Sequence, residues 1–169
     1  MIRGDGVQEA LARWLDRPGL ILGVGNSLRG DDAAGPMVSA RLSSPEAVDC
    51  GDAPERYLGL AAHSGVERVL VVDAMDFGGA PGEIAFCSSE DLVERLGTTH
   101  DSGLAVLGRF VREQYGKPVA VVGIQPADTG FGAEMSPAVR EAVARVSAWL
   151  ATAISRRESW GVEAAWNCS

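Results

Sequence analysis

"LILGVGNSLRGDDAAG", residues 20–35, decides how this chain is read. Leu20 to Val24 is a continuous apolar run without alternation, the pattern of a strand buried on both faces. Helical spacing follows from Ala34 to Leu42, with Met37, Val38, Arg41 and Leu42 on the repeat. A strand, a glycine-rich turn and a helix suggest a nucleotide loop, but the spacing disagrees. Gly23, Gly25 and Gly30 give GxGxxxxG where a dinucleotide site wants GxGxxG, and no GK[ST] follows. Instead the turn carries Asp31 and Asp32, which would repel a phosphate. Acidic oxygens on a tight turn suit a metal ion or acid–base chemistry. Either aspartate can also cap the helix that starts near Ala33. Asn26 is expected to support the turn through side-chain to backbone hydrogen bonds.

Outward from this stretch, helical and strand patterns alternate. A short helix precedes it (Val7 to Leu15), and Pro18-Gly19 breaks the chain. Ala47 to Cys50 is a second strand, and a helix opened by Pro54 runs towards His63. Arg68 to Ala74 is the most convincing strand, β-branched and apolar until Asp73. Glu83 to Ser88 alternates in part and predicts a half-exposed edge strand. A helix capped by Ser89 runs to about Leu96, and another runs from Gly103 to Tyr115. Pro118 to Ile124 is a buried strand, and Pro137 opens a last helix to about Ile154. This order predicts an α/β fold: a three-layer α/β/α sandwich with a mostly parallel twisted sheet and one antiparallel edge strand. Residues 1–169 are expected to form one domain with its core over about 20–154. The N-terminal helix (5–16) and the tail (158–169) are then peripheral.

The chain has 23 acidic and 15 basic residues, a net charge of −8, which argues against a nucleic-acid partner. Its basic doublet, Arg156-Arg157, is expected at the solvated end of a helix. Cys50, Cys87 and Cys168 show no CxxC spacing; two core thiols and one on a tail fit a reducing cytoplasm. No apolar stretch reaches the ~20 residues of a membrane helix, so no membrane insertion is expected.

Ligands of an open parallel sheet bind at the carboxyl ends of its strands, beside the reversal of strand order. With the first strand lying between the second and third, Asp32 and Asp73 face one cleft. A carboxylate closing a Val-Leu-Val-Val run is costly to bury unless it is paired or ligates something. Of the two histidines, His63 sits near a helix end. His100, in the polar loop Gly97 to Gly103, is better placed to join two strand-end aspartates. Two carboxylates and an imidazole suit borderline divalent ions such as nickel or zinc, with open positions left.

These residues resemble the hydrogenase maturation proteases, endopeptidases that trim the C-terminus of the [NiFe]-hydrogenase large subunit. The family opens with a strand and G-x-G-N-x-L-x-x-D-[DE]-x-x-G, here Gly23, Gly25, Asn26, Leu28, Asp31, Asp32 and Gly35. Its third strand ends in an aspartate, here Asp73. Its loop histidine stands in "TTHDSGL" (98–104), and its G-I-Q-P strand in "VVGIQPADTGFGAEMSPAV" (121–139). The similarity spans about Leu20 to Leu150 and is greatest to the branch acting on formate-hydrogenlyase-type hydrogenases. Ala33 departs from the glycine often found after the acid pair.

The resemblance implies that Asp32, Asp73 and His100 are the metal-contacting and catalytic residues of an aspartic-type endopeptidase. It implies a monomeric cytoplasmic enzyme whose partner is the large-subunit precursor. Nickel arrives on that precursor, and no permanent cofactor is expected. Asp32 is expected to be the general base, because it lies on a loop able to move. Two rivals stand beside this reading: a nickel-dependent assembly chaperone that does not cut, and a peptidyl-tRNA hydrolase-like enzyme suggested by "GVGN".

Overall fold

A computed structural model describes residues 1–95 and 103–159. His100, Cys168, Trp160 and Trp166 lie outside the described residues. The strands are β1 (Ile2–Arg3), β2 (Gly19–Val24), β3 (Ala47–Gly51), β4 (Arg68–Ala74), β5 (Ile84–Ser88) and β6 (Val119–Ile124). The α-helices are α1 (Gly6–Trp14), α2 (Ala34–Leu42), α3 (Ser89–Arg95), α4 (Gly103–Tyr115) and α5 (Pro137–Ser159).

One sheet holds the strands in the order β1-β5-β6-β4-β2-β3. The pairs β2–β3, β2–β4 and β4–β6 are parallel. β5 runs antiparallel to β6, and the two-residue β1 pairs along its outer side. Placing β2 between β3 and β4 is the order expected from the sequence.

Although the central strands read as unbroken apolar runs, their side chains divide strictly by the two-residue period. Ile21, Leu70, Val72, Ala120, Val122 and Ile124 point to the face covered by α1, α2 and α5. Leu20, Leu22, Val69, Val71, Val119 and Val121 point to the other face, with Leu92 of α3 and Leu107 and Val111 of α4. Both faces are dry, which is why neither shows polar alternation in the sequence. This is the three-layer arrangement. By the same parity, Asp73 belongs to the α3/α4 face.

α2 lies close against the sheet because Gly35 is at its N-terminal end. A Cβ there would stand 2.3 Å from the carbonyl oxygens of both Val24 and Val72. The glycine thus permits helix and strand backbones to touch, a packing role and not a phosphate cradle.

Four local features differ from the sequence reading. The segment Pro54–Ala62 is a 3-10 helix, not an α-helix. Its buried residues, Leu58 and Ala61, are three apart, which matches the tighter period. The cap of α3 is Ser88 and not Ser89. The Ser88 hydroxyl accepts from the Asp91 N–H (3.1 Å), and the Asp91 carboxylate accepts from the Ser88 N–H (3.4 Å), a reciprocal capping pair. Neither Asp31 nor Asp32 caps α2, which begins from Ala33 without a side-chain cap.

Finally, α5 continues past Ile154 to Ser159, and Arg157 is buried, not solvated. Its guanidinium pairs with the buried Glu46 carboxylate and donates to the Arg17 carbonyl at 3.2 Å. The pair fastens α5 to the segments leading into β2 and β3.

Candidate active site

The site forms where β2, β4 and β6 end together. The chain leaves β2 through Gly25, whose φ of +139° lies in the region that favours glycine. A Cβ at Gly25 would come 1.8 Å from the Asp32 carbonyl oxygen, so the turn closes only with glycine there. The Asn26 side-chain oxygen then accepts from the Leu28 N–H at 2.9 Å, the expected turn support. A single 3-10 turn, Gly30–Ala33, leads into α2.

The two adjacent aspartates do different work. Asp31 is fully buried. One of its oxygens accepts from the Ala127 N–H (2.8 Å), the Asp128 N–H (3.0 Å) and the Ser136 hydroxyl (3.0 Å). The other accepts from the Ser136 N–H at 2.6 Å. Burial pushes the Asp31 carboxyl upward, but the donors at Asp128, Ala127 and Ser136 outweigh it and hold it below the usual range. Asp31 is therefore a bracket between the opening loop and the loop after β6. The Asp31 N–H completes the clasp by donating to the Asp128 carbonyl at 2.9 Å.

Asp32 instead stays partly exposed, with one oxygen accepting from the Asn26 N–H at 2.8 Å. The turn that bears it is thus held from both sides. Asp32 was expected to be the general base because its loop could move; the Asn26 N–H on its carboxylate ties that loop to the turn after β2.

Asp73 closes β4 in register with Gly123 of β6 and is largely buried. Burial, and then the charge of Asp32, push its carboxyl up to about 7, while the Ala74 N–H pulls weakly the other way. The structure thus brings Asp32 and Asp73 together, as the strand order predicts. A buried carboxyl pushed up to about 7 beside a second carboxyl group can take up and release a proton at working pH.

A cleft of about 570 Å³ opens beside Asp73, walled by Val24, Leu58, Leu104, Leu107 and Phe110. Asp52 and Glu55 stand at the same cleft, and Asp52 accepts from the Asn26 side-chain amide at 3.3 Å. The space is of the size that holds a few residues of extended peptide or a small molecule.

Gln125, of the G-I-Q-P segment, has a role that the sequence did not suggest. Its side-chain oxygen accepts from the Phe77 and Gly79 N–H groups, each at 3.0 Å, and its amide donates to Asp76 at 3.1 Å. It fixes the loop that follows Asp73. The motif position was the only signal, since a buried glutamine looks like any polar loop residue.

Other chemistries are poorly served. Burial, and then Asp49, push the Cys50 thiol up to about 12, so it supplies no thiolate. His63 is exposed at the end of the 3-10 helix. Among the described residues no group of three or more His, Cys, Asp or Glu side chains could hold a metal ion.

Comparison with known proteins matches residues 38–153 to the family model described as hydrogenase maturation protease. The chain belongs to the hydrogenase maturation proteases. The hydrogenase 3 maturation protease of Escherichia coli K12 is 34% identical over 147 residues, covering 83% of this chain and 89% of that protein. The crystal structure of a [NiFe] hydrogenase maturation protease from Thermococcus kodakarensis superposes with a TM-score of 0.74 at 32% identity, over 82% of this chain and 92% of the other. The solution structure of an E. coli endopeptidase gives 0.69 at 34% identity, over 80% and 90%. As a hydrogenase maturation protease this chain is a peptide-bond hydrolase, and the peptidyl-tRNA hydrolase reading falls.

Proposed function

We propose that this protease removes the C-terminal extension of a [NiFe]-hydrogenase large-subunit precursor after recognising the nickel the precursor already carries. The observation that carries the reading is the pairing of Asp32 with an Asp73 carboxyl raised to about 7 at the mouth of an apolar cleft. Asp32, Asp73 and His100 contact the metal brought by the substrate. That docking lays the segment to be cut along the cleft. Two carboxylates suit such an ion as oxygen donors, and a third ligand from His100 would complete an N/O set.

In the cutting step we assign proton transfer to Asp73. Its carboxylate takes a proton from water as the oxygen attacks the scissile carbonyl carbon. The same proton then passes to the nitrogen as the C–N bond breaks, leaving a carboxylic acid and an amine. Asp32 orients the metal. The reading extends to an aspartic-type enzyme working as a monomer in the cytoplasm. No described helix is long and apolar enough to cross a membrane.

The test is a mass shift in nickel-loaded precursor incubated with the enzyme. Asp32→Ala, Asp73→Ala and His100→Ala variants should each lose the shift. Normal processing by the Asp32 and His100 variants would overturn this mechanism. A stable complex with no mass shift would favour the non-cutting chaperone.

A further inference from the structure

Among the described residues five large apolar side chains are exposed: Ile2, Leu28, Val106, Phe110 and Phe131. Four of them gather at the carboxyl edge of the sheet. Val106 and Phe110 line the cleft beside Asp73 and are accounted for by it. Leu28 and Phe131 are not. They are 63% and 77% exposed, and they stand on the two loops that Asp31 brackets together, on the Asp32 side of the site.

These loops are held as one piece. The Gly132 N–H, next to Phe131, donates to the Leu28 carbonyl at 2.8 Å. Gly30, at φ +51°, sits so close to the second loop that a Cβ would approach the Asp128 carbonyl to 2.6 Å. The Gly130 N–H is fixed in turn by the Asp128 carboxylate at 2.7 Å. Two large apolar side chains on one fixed rim lose little freedom on binding, which is what an anchor for a partner requires. A monomer gains nothing from exposing them, and grouped exposure at a functional edge marks a contact surface.

The geometry points to Leu28 and Phe131 as a docking rim for the folded body of the precursor, outside the segment that is cut. The inference rests on the substrate reading above. The partner's scissile segment must enter the cleft at Asp73, so its body must lie over the adjoining rim. A cleft of about 570 Å³ holds only a short stretch of peptide, which leaves choice of the right protein to contacts beyond it. The matching surface on the precursor is apolar and borders its nickel-bearing segment.

The experiment compares wild type with the Leu28→Ser, Phe131→Ser double variant, using nickel-loaded precursor. Both side chains are mostly exposed, so thermal unfolding should change little. Affinity for the precursor should fall about tenfold or more, with KM rising and kcat held. A Leu28→Met, Phe131→Leu variant should restore binding. An unchanged KM and affinity in the serine variant would overturn the inference. So would wild-type self-association in sedimentation that the serine variant abolishes, since the rim would then serve a second copy of this chain. Affinity and cleavage are read separately. Precursor that binds through the rim but is never cut defeats the proposed function and leaves the docking surface standing.

Discussion

Replacing Asp73 by asparagine should stabilise the fold at alkaline pH and much less at acidic pH. The wild-type carboxyl is raised from an ordinary 3.8 to about 7 by burial and by Asp32. A folded-state value above the unfolded one means that the contribution is present in full below about 3.8. It is lost as pH rises and is gone above about 7. At about 1.4 kcal/mol per pH unit, the ionised group costs the fold at most about 4 kcal/mol above neutrality. Near pH 5 less than half of that loss has been incurred, since only about one unit separates pH 5 from the unfolded value. The gap in unfolding free energy between Asp73→Asn and wild type should therefore widen by about 2–3 kcal/mol from about pH 5 to about pH 8.5. Urea midpoints at the two pH values measure it, with the slope checked for two-state behaviour. A gap that stays constant would mean that Asp73 is ionised across the range, and the proton-transfer role would go with it. Asp32→Asn in the same assay should narrow the widening, because it removes the charge that adds to burial.

Other consequences follow from the same contacts. For the free enzyme, kcat/KM on precursor should rise with pH up to about 7 and then level, as a base raised to that value requires; a plateau beginning near pH 4 would refute it. Asp31→Ala strands the Ala127, Asp128 and Ser136 N–H donors and should lower unfolding free energy by about 3 kcal/mol or more, read by denaturant titration. Glu46→Ala leaves the buried Arg157 charge unpaired and should cost about 3–5 kcal/mol, whereas a Glu46→Leu, Arg157→Met double variant should come close to wild type.

The layers and strand order were legible because dry strands and amphipathic helices leave patterns that only one architecture satisfies. Asp73 was legible for the same reason, a charge where a buried strand should have none. What escaped was decided across the fold. Asp31 and Asp32 are neighbours of one type, and only the main chain of residues 127–136, nearly a hundred positions on, separates bracket from site. Arg157 reads as surface because its partner, Glu46, is far away in sequence. Pro54–Ala62 hid its tighter helix because Leu58 and Ala61 at a spacing of three fit both periods. The pairing of Asp32 with Asp73 was foreseen from strand order, and the upward push on the Asp73 carboxyl was not, since burial is not written in a motif.

The bracket at Asp31 has an evolutionary corollary. Its bonds go to main-chain N–H groups and one serine hydroxyl, and a main-chain donor is blind to the side chain it carries. The exposed Ala127 can drift to almost any residue except proline, which has no N–H to give. Asp31 has no such freedom: even glutamate, one methylene longer, would carry the carboxylate past its donors. Substitution can therefore change the chemistry of the rim while Asp31 keeps the path of the backbone around the carboxylate pair.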